Sequence, residues 1–399
     1  MKILSIETSC DETALSLIEA NGGLKKPHFK ILKNLVASQI KIHQPFGGVV
    51  PNLAKREHLK NLPILLDKLL VSGYRPTPDL IAVTVGPGLE PCLWTGINFA
   101  KDLYKSVKEQ GTIVNLTGVN HLEGHLYSFL LNSKFHTLNS KSSFPAIALI
   151  VSGGHTILLL MENLFRFKKL GETRDDAAGE AFDKVARLLN LPYPGGPRLE
   201  KLAKYGSLTS INFPRPMLNQ KNYDFSFSGL KTAVLYYLRG SLEAKTFSQS
   251  EARGASPVRG SASNGASGHG FPRRYRRGKS ERRKPAKILA GDLSDSLEKK
   301  FLPNIAASFQ QAVIDVLVAK TLRAAKEFKA KSILLSGGVA NNKSLRQALK
   351  KEARKKKIIF WAPPLEFTTD NAAMTAVAAY FDHLKKRKKR LIAQGNLNL

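Results

Sequence analysis

The chain has 399 residues, 43% of them hydrophobic, 23% charged and 8% aromatic. That is ordinary globular composition, which excludes a fibrous or wholly disordered protein and, at roughly 150 residues per domain, predicts two or three domains. The 62 Lys and Arg against 31 Asp and Glu leave +31, which points to a polyanionic partner: nucleic acid, an anionic membrane face or an acidic protein.

Two cysteines, Cys10 and Cys92, exclude a disulfide framework. The opening MKILSIETSCDE reaches acidic residues too early for a signal-peptide core, and apolar runs such as 144–151 are far shorter than a membrane span. A cytoplasmic protein with no membrane partner is expected.

In chain order, KILSIETS (2–9) and TALSLIE (13–19) predict a hairpin whose tip carries Ser9, Cys10, Asp11 and Glu12. NLAKREHLKNLPILLDKLLVSG (52–73) has helical periodicity and a stop at Gly73. LIAVTVGPG (80–88) reads as a buried strand ending in a glycine turn, followed by helix over 94–107 and again over 121–131. The second half restarts the pattern. AIALIVSGGHTILLL (146–160) reads strand, Gly-Gly turn, strand; 175–190 reads as a helix stopped by LPYPGGP; and SILLSGGVANNKSLRQALKK (332–351) reads strand, Gly-Gly loop, helix. Alternating strands and helices predict an α/β fold, and the restart predicts a duplicated architecture. The expected division is an N-terminal lobe over 1–120 and a C-terminal lobe over 121–380, with a basic tail at 383–399. Between Lys245 and Lys287, twelve basic residues face two acidic ones in a stretch nearly devoid of aliphatic side chains. Such a segment cannot bury enough apolar surface to order itself, so 241–287 is expected to be a disordered insertion. It is read as a solvated loop or a clamp for nucleic acid.

HLEGH places His121 and His125 at i and i+4 on one helix face, a spacing that lets two imidazoles hold one metal. The pattern differs from the zincin motif. Glu123 is two residues past the first His, about 200° around the helix at roughly 100° per residue, so it points away from such a metal. Three Gly-Gly turns (VSGGHT, YPGGP and SGGVANN) and the Ser- and acid-bearing hairpin together predict a nucleotide cleft of the sugar-kinase, actin and heat-shock ATPase kind.

ETSCDET, GGVVPNLA (47–54), GPGL (86–89), HLEGH, LIVSGGHT, DDAAGEAFDK (175–184), YPGGP, FPRP (213–216), DFSFSGLKTA (224–233), SGGVANN and TDNAAM (369–374) follow one another in an order that resembles one family. It is the bacterial tRNA threonylcarbamoyladenosine transferases, once called glycoproteases. The resemblance covers about 1–238 and 295–380. It implies a two-lobed, actin-like ATPase fold with a central cleft. The implied reaction moves the L-threonylcarbamoyl group from threonylcarbamoyl-adenylate to N6 of adenosine 37 in tRNAs reading codons that start with A, releasing AMP. It implies a divalent metal, ferrous iron first and zinc second, on His121, His125 and Asp370. It further implies a substrate loop at Ile150, Val151, Ser152, Gly153 and Gly154, and adenylate contacts at Asp183, Gly196, Glu200 and Asn342. The phosphate-side hairpin would be Ser9, Asp11 and Glu12, the two acids being candidates for the general base. Implied partners are tRNA, a dimerising non-catalytic paralogue, an ATPase and a separate synthase that makes the adenylate. A metalloprotease, a kinase of the same fold and a non-enzymatic RNA-binding protein are the competing readings.

Overall fold

In the computed structural model of the chain, residues 1–24, 26–71, 77–133, 143–253 and 295–399 are described, 241–253 and 295–300 by backbone alone. The opening apolar run forms β1 (Lys2–Glu7), which turns through residues 8–11 into β2 (Glu12–Asn21). Antiparallel pairing of Lys2 with Glu19 and Glu7 with Ala14 leaves the polar residues at the hairpin tip, as predicted. β3 (His28–Ser38) lies outside β2 at the sheet edge. β4 (Leu80–Gly86) pairs parallel to β1, and β5 (Asn115–Asn120) parallel to β4. The order is β3-β2-β1-β4-β5.

The second sheet repeats this plan with β6 (Ala146–Val151), β7 (Thr156–Met161), β8 (Phe167–Glu172), β9 (Ser332–Ser336) and β10 (Ile359–Trp361). Its order is β8-β7-β6-β9-β10, again with two antiparallel pairings followed by two parallel ones. The duplication expected from the repeated strand–turn pattern is therefore present at the level of topology.

The helices are α1 (Ile40–His43), α2 (Pro51–Val71), α3 (Glu90–Glu109), α4 (His121–Tyr127), α5 (Ala178–Leu188), α6 (Gly195–Ala203), α7 (Ser228–Arg253), α8 (Asp295–Glu327), α9 (Lys343–Lys355) and α10 (Ala372–Leu384). Their faces follow their sequences. In α5, Ala178, Ala181, Phe182, Val185 and Ala186 recur at helical spacing and are buried. α2 and α3 cover the outer face of the first sheet around Leu62, Leu65, Ile81 and Ile97, and α5 to α9 cover the outer face of the second. α10 is buried on all sides from Ala372 to Asp382 and lies with α4 in the layer between the sheets, among Ile3, Val119, Ala148 and Ile150. It packs against β1, β2 and β5, so the chain returns to the first sheet before its end.

Some expectations change. The helix expected over 121–131 stops at Tyr127 and continues as a 3-10 turn over Ser128–Leu131. Within α8, Phe301–Glu327 is long and apolar enough to cross a membrane by length and composition, but 72% of the apolar window is buried inside the protein. α7 extends to Arg253, into the segment read as an insertion; the remainder of that segment, like Gly73, lies outside the described residues. The basic tail folds back onto the first sheet, where Leu391, Ala393 and Leu397 pack on its outer core.

Candidate metal centre and substrate cleft

Alternation along β1 turns Ile3, Ser5 and Glu7 to the same face. That face meets the layer between the sheets. Ile3 joins its apolar cluster, the Ser5 hydroxyl donates to the Ala372 carbonyl (2.6 Å), and Glu7 lies against α4 and α10. β5 runs straight into α4, whose first turn is capped by Asn120 Oδ1 accepting from Leu122 N (2.8 Å) and Glu123 N. His121 and His125 follow one turn apart, with ring centroids separated by 4.6 Å. Asp370 comes from the turn before α10. There Asn371 caps the helix by accepting from Met374 N (3.1 Å), which leaves Asp370 facing the histidines. A Cβ on Gly124 would approach Met374 Cγ to 3.2 Å, so glycine permits the close approach of α4 and α10.

Asp370 Oδ1 lies 3.1 Å from His125 Nε2 and 3.5 Å from His121 Nε2. One ligand atom from each of the three residues lies within 4.8 Å of the others. Both ring nitrogens of His125 are buried; Nδ1 has no hydrogen-bond partner, and Nε2 meets only the Asp370 carboxylate. Buried polar atoms are normally satisfied, and two imidazoles converging with a carboxylate form a donor set that a divalent cation fits.

Sequence reasoning missed Glu7 as a site residue, although it opens the ETSCDET motif and is an acid at the inward-facing end of an apolar strand. It is fully buried. Its Oε1 accepts from Ser9 N (2.7 Å), and its Oε2 accepts from Thr84 Oγ1 (2.6 Å) and Thr375 Oγ1 (3.1 Å) and lies 3.2 Å from His121 Nδ1. Ser9 Oγ also lies 3.2 Å from that nitrogen. Burial would raise the Glu7 carboxyl, but the charge and hydrogen bond of His121 outweigh it and hold it below its usual value. Burial likewise disfavours the charged form of His121, yet Asp370 and Glu7 raise its pKa to about 9. Asp370 is held far below the usual carboxylate range, because His121 and His125 overcome its own desolvation. His155, on the SGGH turn, is pushed down to about 4 by burial and then by His121 and His125. It is neutral beside the charged cluster.

The other expected site residues form a second group. The side chains of Ile150 and Val151 lie in the two cores, which leaves only their main chain for a ligand. Ser152 N donates to His155 O (2.8 Å) within its turn. Gly153 and Gly154 are exposed, with open space where a Cβ would stand. Asp183 Oδ1 accepts from Gly195 N (2.7 Å) and Gly196 N (3.3 Å), capping α6, and burial raises its carboxyl despite those bonds. Glu200 Oε1 accepts from Lys343 N (2.7 Å). Asn342 caps α9 through Leu345 N (2.9 Å) and donates Nδ2 to Gln310 Oε1 (2.8 Å), so both ends of its amide are engaged within the protein. A cavity of about 460 Å³ opens beside Asp183, Arg187 and Tyr193. Tyr193 links this group to the hairpin tip, its hydroxyl donating to Asp11 Oδ2 (3.3 Å). The neighbouring Glu12 carboxyl is raised well above its usual value by burial, then by Asp11 and Asp370. Glu123, one residue past the position of a zincin base, is bound on the far side of α4 to Lys389 Nζ (2.6 Å).

The solved structure of HypF from T. kodakarensis matches 96% of this chain and 47% of its own with a TM-score of 0.53 at 14% identity. Full-length HypF in its phosphate- and nucleotide-bound form matches 96% and 55% with a TM-score of 0.52 at 12% identity. These likenesses carry the fold, a two-lobed actin-like ATPase architecture. Sequence relatives are much nearer. The tRNA N6-adenosine threonylcarbamoyltransferase of Thermosipho melanesiensis is 41% identical over 401 aligned positions, covering 100% of both chains. That of Bacillus subtilis is 41% identical over 381, covering 95% of this chain and 89% of its own. The family model for tRNA N6-adenosine threonylcarbamoyltransferase matches residues 30–377. With the ordered motifs, the duplicated sheets and these matches in agreement, the chain belongs to the tRNA N6-adenosine threonylcarbamoyltransferase family.

Proposed function

We propose that this chain moves the L-threonylcarbamoyl group from threonylcarbamoyl-adenylate to N6 of tRNA adenosine 37, releasing AMP, with one divalent metal held by His121, His125 and Asp370. The observation that carries the metal reading is the convergence of His121, His125 and Asp370, with one ligand atom from each within 4.8 Å of the others in a largely buried site. Two imidazoles and one carboxylate suit ferrous iron, with zinc second. When bound, the metal supplies charge to polarise the carbamoyl carbonyl and neutralise the adenylate's anionic groups.

The chain's own residues supply position and protons. AMP is a good leaving group, whereas the adenine amine is a weak nucleophile because its lone pair is delocalised. Holding amine and carbonyl in line is therefore the larger part of the work. Glu7 accepts the His121 Nδ1 proton and so turns the Nε2 lone pair toward Asp370 and the metal site. Support for the substrate's anionic groups falls to the exposed amides of Gly153 and Gly154, since that of Ser152 is spent within its turn. Asp183 presents the first turn of α6 to the adenylate side, and Glu200 and Asn342 brace α9 beside it. As N6 bonds to the carbonyl carbon and the carbon–oxygen bond to AMP breaks, the N6 proton passes to the Asp11–Glu12 pair. A raised pKa makes the Glu12 carboxylate the stronger base in its ionised form.

A net charge of +31 supports a tRNA substrate. The non-catalytic paralogue, the ATPase, the adenylate-making synthase and a cytoplasmic location are part of this reading. The test is single-turnover transfer with prepared adenylate, unmodified tRNA and the paralogue and ATPase supplied. AMP release coupled to modified adenosine is expected, and its loss in the His121→Ala/His125→Ala variant. Full transfer by that variant would refute the metal assignment; no AMP release by the metal-loaded wild type would refute the reaction.

A further inference from the structure

The basic run KKRKKR (385–390) reads as a solvated charge run, but Lys389 within it is half-buried and paired inside the fold. The side chain of Lys389 is 24% exposed. Its Nζ lies 2.6 Å from Glu123 Oε2 and also contacts Asp382 Oδ2. Glu123 stands on α4 between His121 and His125. Asp382 stands on α10, the helix that begins immediately after Asp370 and Asn371. One ammonium thus joins, from the side opposite the metal ligands, the helix that carries both histidines to the helix that follows directly on the Asp370 turn.

The backbone around Lys389 fixes it in place. Its carbonyl accepts from Gly118 N (3.4 Å) in an antiparallel bridge to β5, the strand that leads into α4. Farther along, Gln394 N donates to Val85 O (2.9 Å), and Gly395 O accepts from Gly88 N (3.1 Å). A Cβ on Gly86, at φ +151°, would stand 2.1 Å from Gln394 O, so the β4 turn is shaped to receive the tail. Asn398 O accepts from Asn120 Nδ2 (2.9 Å), the side chain whose Oδ1 caps α4. The tail therefore grips α4 at its cap and through Glu123.

We propose that Lys389 is a positioning residue: it sets the spacing of α4 and α10, and through it the geometry of the His121–His125–Asp370 ligand set. Removing the ammonium leaves two largely buried carboxylates facing each other across the helix pair, which drives the pair apart. A spread of a few tenths of an ångström moves two histidines on one helix away from an aspartate in the turn that leads into the other. This rests on the reading that those three residues hold the metal.

The test uses the full metal-free chain titrated with Co²⁺, following affinity, ligand-field absorption and the melting temperature of the metal-free form. The variants are Lys389→Ala, Lys389→Arg, Glu123→Gln and the Lys389→Ala/Glu123→Gln pair, with His121→Ala and exposed Lys388→Ala as controls. Lys389→Ala should bind cobalt about 10- to 100-fold more weakly, the range for residues that orient metal ligands, with an altered absorption spectrum. Glu123→Gln should shift both readouts in the same direction, the pair should be no worse than the weaker single variant, and Lys389→Arg should recover most of the loss. A Lys389→Ala chain that melts lower but binds cobalt within twofold of wild type, with the same spectrum, overturns the proposal. Should that variant not fold, unchanged affinity and spectrum in Glu123→Gln overturn it equally. A wild type that takes no cobalt, or a His121→Ala chain that takes it as well as wild type, overturns the metal reading and the clamp with it; loss in His121→Ala alone overturns only the clamp.

Discussion

Glu7→Gln isolates the charge and tautomer control that a buried carboxylate exerts on His121. Glutamine has the same shape, so the cavity is unchanged; only its donors and acceptors differ. Ser9 N can only donate, so the glutamine carbonyl must stay at the Oε1 position and its NH₂ must take the Oε2 position. The hydroxyls of Thr84 and Thr375 can rotate to accept from that NH₂. His121 can accept there only by moving its remaining proton to Nε2, the nitrogen that faces Asp370. Metal affinity should then fall about 10- to 100-fold, as when a group that orients a ligand is removed. A second effect opposes this one. In the wild type, His121 titrates near 9, partly because of Glu7, so a metal must displace a proton at neutral pH. Loss of the Glu7 charge relieves part of that competition. The deficit of the variant should therefore be smallest near pH 7 and widen as pH rises, reaching its full size above about pH 9. Competition titrations with a metal-buffering chelator across this range give both curves. A constant ratio near one at every pH would refute the role assigned to Glu7.

Linkage fixes the sign of a pH effect on the metal-free fold. The folded pKa of His121 is raised from 6.5 to about 9, so its stabilising contribution is complete below about pH 6.5 and is lost as pH rises through 9. Denaturant midpoints of metal-free wild type and His121→Asn should converge over that window, and parallel curves would contradict the shift. Gly153→Leu should leave stability within about 0.5 kcal/mol, since the Cβ position is open, while calorimetry with a non-hydrolysable adenylate analogue should detect no binding; normal affinity would make the SGGH turn purely structural. Replacing 254–287 with a short Gly/Ser linker removes ten basic residues and one acidic one. It should weaken tRNA binding and lower the slope of log affinity against log salt by about 0.7–0.9 for each phosphate that the segment neutralises; identical slopes would show that the segment touches no phosphates.

Much of the fold is legible because local signals and tertiary packing agree. The β1–β2 hairpin, β4, the β6–β7 hairpin and α5 all carry clean periodicity and bounded ends. β3 is harder to read: it is a half-exposed edge strand interrupted by Lys30 and Lys33, so no strict alternation marks it. α10 is apolar on every side because it lies between two sheets, and such a helix has no amphipathic stripe. The histidine pair is visible from its i, i+4 spacing, but nothing local joins it to Asp370, 245 positions beyond His125. Only the ordered motifs suggested that pairing, and the packing of α4 on α10 supplies its geometry. Lys389 is the opposite case. In sequence it is one cation among six, and its partners become apparent only when the chain end folds back on β4 and β5.

The central claim is metal-dependent transfer to tRNA by this chain. Mass spectrometry of tRNA nucleosides, in cells depleted of their own transferase and expressing this protein, tests it most directly. The wild type should restore N6-threonylcarbamoyladenosine, and the His121→Ala, His125→Ala and Asp370→Ala variants, expressed at equal levels, should not. Absence of the modified nucleoside with soluble wild-type protein, or its full restoration by the double-histidine variant, would contradict the account.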